Sequence, residues 1–120
     1  MTKEQEITKL TEIWYQIVGL DYHKDKDCHW YIDKVWSYGE PPKYSVEHYG
    51  YIFHEDLNME FKTYKEAEIY LLEIIKEAIG REEKWAKDVV KHPEKYESDW
   101  VEEGHNLKNA KKILEILKDK

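Results

Sequence analysis

Residues 28–38 and 44–53 alternate between two unlike sets of side chains with a period of two, and Gly39-Glu40-Pro41-Pro42-Lys43 separates them. A period of two is the signature of a strand and is incompatible with a helix. Two such runs flanking a Gly/Pro break predict an antiparallel hairpin. In the first run Cys28, Trp30, Ile32, Trp36 and Tyr38 share one side, with Lys34 the polar exception; His29, Tyr31, Asp33, Val35 and Ser37 take the other. Placing Tyr38 opposite Tyr44 gathers the apolar residues. Trp36 then faces Val46, Lys34 faces His48, Ile32 faces Gly50, Trp30 faces Ile52 and Cys28 faces His54. A turn through residues 55–58 returns Met59 and Phe61 to that apolar side as a short third strand.

Three strands with one apolar face need a covering layer. Thr63 with Glu66 three residues later is a capping box, and Ala67, Tyr70, Leu71, Ile74, Ile75, Ala78 and Ile79 behind it form a wide helical stripe. The stripe continues through Trp85, Val89 and Val90 to His92, where Pro93 stops it. Gly80 costs that helix ~1 kcal/mol relative to Ala and marks a candidate bend. Upstream, Thr2 with Gln5 opens a helix over 2–18 whose Ile7, Leu10, Trp14, Ile17 and Val18 recur at helical spacing until Gly19. The polar run 21–27 reads as a loop. A last helix follows Ser98, with Trp100, Leu107, Ala110, Ile113, Leu114 and Leu117 on one side. The expected fold is α+β in the order α-β-β-β-α-α: an N-terminal helix, a three-stranded antiparallel meander, a long helix packed on the sheet and a C-terminal helix. At 120 residues it is expected to be a single compact domain over 1–120. The two last helices are expected to pair, and their shared apolar face offers a seam for a homo-oligomer.

Charge and composition remove whole classes of function. A net charge of −7 opposes direct nucleic-acid binding, which rests on Lys and Arg neutralising phosphates. Cations concentrate only in the tail, where Lys108, Lys111, Lys112, Lys118 and Lys120 outnumber Glu115 and Asp119. Arg81 is the one arginine, which does not make an arginine clamp. Cys28 is the one cysteine, so neither a disulfide framework nor a thiolate zinc cage is possible. No stretch approaches the ~20 apolar residues of a membrane span, and the first residues lack a signal-peptide pattern. A cytoplasmic location is expected.

The chemistry-bearing residues do not assemble into a known motif. His23, His29, His48 and His54 crowd the hairpin near Asp21, Asp25 and Asp27, yet His29 and His54 fall on opposite sides of the sheet and His48 faces Lys34, so no metal site is expected. Cys28 beside His54 has the spacing of a nucleophile and its base. Its line-up with Trp30, Ile32 and Trp36 makes it a core residue instead. There is no phosphate loop, dinucleotide fingerprint or serine elbow. No catalytic residue and no cofactor is therefore expected.

What remains is the outward side of the hairpin. Tyr31, Asp33, Glu47, Tyr49, Tyr51 and Phe53 form an aromatic, acidic surface, and rings displayed in such numbers require a cover, internal or external. The composition resembles that of the acidic inhibitor and decoy proteins that phages and mobile elements encode against host nucleic-acid machinery. The expected function is accordingly a non-catalytic module that binds a protein partner through this face. The alternative is a small-ligand, nucleotide-like binder or sequestering protein, oligomeric, using Lys34, His48 and Trp36 as contacts. A cysteine- or metal-dependent enzyme is the third reading.

Overall fold

The structure, a computed structural model, describes residues 2–21, 29–49, 59–98 and 102–118. Its elements are α1 (Lys3–Asp21), β1 (His29–Val35), β2 (Lys43–Tyr49), β3 (Glu60–Phe61), α2 (Tyr64–Lys91), a 3₁₀ turn (Pro93–Tyr96) and α3 (His105–Lys118). The strands form one antiparallel sheet in the order β1-β2-β3. This is the α+β arrangement that the periodicities predict.

Both capping residues act as expected. Thr2 Oγ1 accepts from the Gln5 amide at 3.2 Å while Gln5 Oε1 accepts from the Thr2 amide at 2.9 Å. Thr63 Oγ1 accepts from the Glu66 amide at 3.2 Å, with extended backbone at Thr63. α1 runs two residues past the expected stop at Gly19, because Leu20 still packs against the core and holds the last turn. α2 runs unbroken through Gly80 and ends where the His92 amide bonds Asp88 O at 2.8 Å ahead of Pro93. α3 begins at His105, later than the expected start after Ser98; residues 99–101, with Trp100, lie outside the described ones.

α2 is the spine. Its buried residues run from Ala67 to Val89 and join Ile13, Trp14, Ile17 and Val18 of α1, Trp30 and Val46 of the sheet, and Ala110 and Ile113 of α3 in one apolar cluster. The sheet lies on the N-terminal half of α2, where Phe61 meets Tyr70 at a ring separation of 5.1 Å and Tyr44 meets Tyr64 at 5.9 Å. α1 lies against the same spine, pinned by a 3.1 Å ion pair between Glu6 and Lys76. The C-terminal half of α2 packs against the 3₁₀ turn and α3, the helix pair expected there. Ala110, Ile113 and Val89 are fully buried within the chain.

The hairpin register differs from the expected one. Trp30 pairs with His48, Ile32 with Val46 and Lys34 with Tyr44, a shift of four residues along β2 from the expected partners. The cause is the turn. Glu40 N bonds Ser37 O at 3.1 Å around Gly39, whose φ of 79° suits the left-handed third position of a tight turn. Pro41 and Pro42 follow without amide protons to offer the ladder. The hairpin therefore pivots on Gly39, and Trp36 and Tyr38 fall in the connection rather than in β1. An even shift keeps every side chain on its expected side. Trp30, Ile32, Tyr44 and Val46 face the helices, while Tyr31, Asp33 and Glu47 face outward. Of the third-strand pair, Phe61 packs inward as expected, whereas Met59 precedes β3 and is exposed.

Candidate functional site

Two surfaces carry groups that the core does not use. The first is the outward side of the sheet with the hairpin connection. Tyr31 is 39% exposed and lies across from Glu47; Asp33 lies across from Ser45, which in turn pairs with Glu60 of β3. Three carboxylates thus share one side of a three-stranded sheet. Ser45 Oγ donates to Glu47 Oε1 at 3.0 Å, and Lys43 lies 3.8 Å from Glu60 in an exposed ion pair of small energetic weight. Beyond the strand end, Trp36 is 68% exposed and Tyr38 is fully exposed. Lys34 Nζ sits 4.6 Å from the centre of the Trp36 ring, in cation–π range, and covers one of its faces. Of the expected contact set, the side chain of Tyr49 and all of Tyr51 and Phe53 lie outside the described residues.

The expected ligand contacts Lys34, His48 and Trp36 do not come together. Lys34 and Trp36 are at the hairpin end. His48 is four residues further along, about 13 Å at strand rise, in a wall of rings. Trp14 Nε1 donates to His48 Nε2 at 3.0 Å, and the Trp30 ring lies 4.5 Å from the imidazole. Because an indole N–H only donates, His48 Nε2 must accept, which fixes a neutral imidazole with its proton on Nδ1. His48 is thus a core-margin residue that ties α1 to β2. Cys28 and His54, the candidate nucleophile and base, lie outside the described residues. Among the described residues no three His, Cys, Asp or Glu side chains group as a metal site, and no helix is long and apolar enough to cross a membrane.

The second surface is a cleft of about 630 Å³ at the far end of α2, lined by Arg81, Lys84, Trp85, Lys87, Asp88, Lys91 and Tyr96. Helical spacing places Arg81, Lys84, Asp88 and Lys91 in one row. Trp85 meets Tyr96 of the 3₁₀ turn edge to face at 6.0 Å and forms the wall. Asn106 of α3 fixes that turn by donating to Tyr96 O at 2.7 Å. The Tyr96 hydroxyl donates to Asp88 Oδ2, and Lys95 Nζ reaches the same oxygen at 3.4 Å. The Tyr96 bond, with the Lys95 cation behind it, holds the Asp88 carboxyl below its usual range, and the same bond raises the Tyr96 hydroxyl above its own. Nothing in the overall charge or in the basic tail points to this place. The legible signal was the run Arg81, Lys84, Lys87, Lys91 on a helix bearing Trp85 in an otherwise acidic chain.

No protein-family model matches this chain, and no curated protein or solved structure matches it.

Proposed function

We propose that this protein is a non-catalytic interaction module that binds a basic protein surface through the outward side of its sheet and the hairpin connection. The observation that carries the reading is the exposed pair Trp36 and Tyr38, 68% and fully exposed, beside the acidic row Asp33, Glu47 and Glu60. Tryptophan and tyrosine supply large contact area at low entropic cost and dominate binding hot spots. Carboxylates around them steer a cationic partner and set orientation. Occupying a basic groove that serves nucleic-acid-processing machinery would make such a module an inhibitor or decoy.

The test is site-specific photo-crosslinking. A benzophenone amino acid replacing Tyr38 is expected to yield discrete protein adducts in the native cytosol, and the same probe replacing Ile69, exposed on α2, is not. The adducts should weaken as salt rises, since exposed charges are screened. Equal labelling from both positions would defeat the reading.

A further inference from the structure

Independently of the sheet face, we infer that the cleft between the C-terminal half of α2 and the 3₁₀ turn is a binding site for a small phosphorylated aromatic molecule of the nucleotide class. Lys84 and Lys91 would take the phosphate, the Trp85 ring the base, and Asp88 Oδ1 a sugar hydroxyl.

The electrostatics of the row support this. Asp88 stands four residues after Lys84 and three before Lys91, positions from which either lysine normally pairs with it. It is turned away instead, toward Tyr96 and Lys95. Lys87 is held by Glu83 at 2.8 Å. Lys84 and Lys91 consequently have no ion-pair partner among the described residues, in a chain with 26 acidic side chains to draw on. The negative end of a helix attracts cations only within its last turn, which accounts for Lys91 but not for Lys84.

Shape and chemistry select the ligand. The volume of about 630 Å³ lies within the ordinary range for small-molecule sites. Trp85 is half-buried, so one part of its ring is fixed against Tyr96 while the remainder lines the opening. Both hydrogen bonds to Asp88 end on Oδ2, which leaves Oδ1 to accept from a ligand donor. A carboxylate in the row would repel a bare anion. It suits a molecule that brings a hydroxyl beside its phosphate, and this combination distinguishes a nucleotide from inorganic phosphate or an acidic peptide.

Titration of the full chain with AMP, ADP, GDP, CDP and UDP, followed through the indole N–H resonance of Trp85, tests the site. At least one nucleotide is expected to saturate below about 1 mM at one molecule per chain. Adenosine or the matching nucleoside, and inorganic pyrophosphate, should each bind at least about tenfold more weakly. The pair Lys84→Gln and Lys91→Gln should lose about tenfold in affinity with an unchanged melting temperature, whereas Lys65→Gln with Lys118→Gln should not. Absence of saturation by every nucleotide overturns the proposal. So does equal binding of pyrophosphate, or equal loss in the control pair, either of which would reveal general anion adsorption on lysines. A glutamate-rich peptide that shifts Trp85 and displaces the nucleotide equally well would overturn it in favour of a protein ligand.

Discussion

The two ends of α2 use the same residue types for opposite purposes. At the sheet end, rings split between burial and display: Trp14 and Trp30 are core, while Trp36 and Tyr38 stand exposed. At the far end Trp85 and Tyr96 are both half-buried and form a wall. Charge divides with them. Residues 1–80 hold nine Lys against sixteen Asp and Glu, whereas residues 81–120 hold ten cations and ten acids. Net charge alone would assign one acidic surface to the whole protein. The helix, of 28 residues and about 42 Å, separates the ends far enough for each to keep its own field, since exposed charges are screened beyond ~8–10 Å. An aromatic residue therefore signals nothing until its cover is known, and an overall charge conceals the sign of a local patch.

The sharpest way to break this comparison is to ask whether the ends stand or fall together. Ile75 is fully buried at the middle of α2, and Ile75→Ala should cost about 2–5 kcal/mol. The indole signals of Trp30 and Trp85 should melt in one transition in this variant. Survival of the Trp85 signal after loss of Trp30 would show two independent units. A smaller effect is confined to the sheet end. Trp14→Phe removes the donor to His48 Nε2 and should cost ~1–3 kcal/mol by chemical denaturation. A variant as stable as wild type would count against that bond.

Gly80 lies where the two ends meet. It is exposed, helical, and a Cβ there would touch nothing within 4 Å. Gly80→Ala should stabilise the protein by about 0.5–1 kcal/mol and leave both surfaces unaltered. Destabilisation would mean that a bend at this point matters. The smallest effect belongs to the far end, where Tyr96→Phe removes the bond to Asp88. Asp88 has a depressed pKa, so its contribution is present above the usual 3.8 and lost as pH falls through the lower folded value. Tyr96 has a raised pKa, so its contribution is present below the usual 10.0 and lost as pH rises through the higher folded value. The melting temperature of wild type should exceed that of the variant slightly between those limits and converge with it at both extremes. A constant difference at all pH values would assign the effect to packing instead.

Much of the fold was legible because its signals are local. Thr2 with Gln5 and Thr63 with Glu66 act within one helical turn, and the alternation through Trp30, Ile32 and Val35 fixes sides of a strand residue by residue. The expected sides of Trp30, Ile32, Val46, Tyr31, Asp33 and Glu47 held for this reason, although the register did not. Alternation cannot distinguish pairings that differ by an even number, and Trp30 opposite Ile52 satisfies it as well as Trp30 opposite His48. The candidate surfaces were legible in part. Tyr31, Asp33 and Glu47 stand where the pattern puts them, whereas the exposure of Trp36 and Tyr38 depends on where the turn closes.

By itself, then, the chain of residues determined the order of elements, the starts of α1 and α2 and the inward or outward sense of the central strand positions, since caps and periodicities depend on neighbours a few residues away. Only the tertiary structure decided that the hairpin pivots on Gly39, that His48 is tied to Trp14 across 34 residues, and that Tyr96 folds back to close a cleft on α2. Those outcomes depend on which distant groups compete for the same place, and nothing within a single turn or strand records that competition.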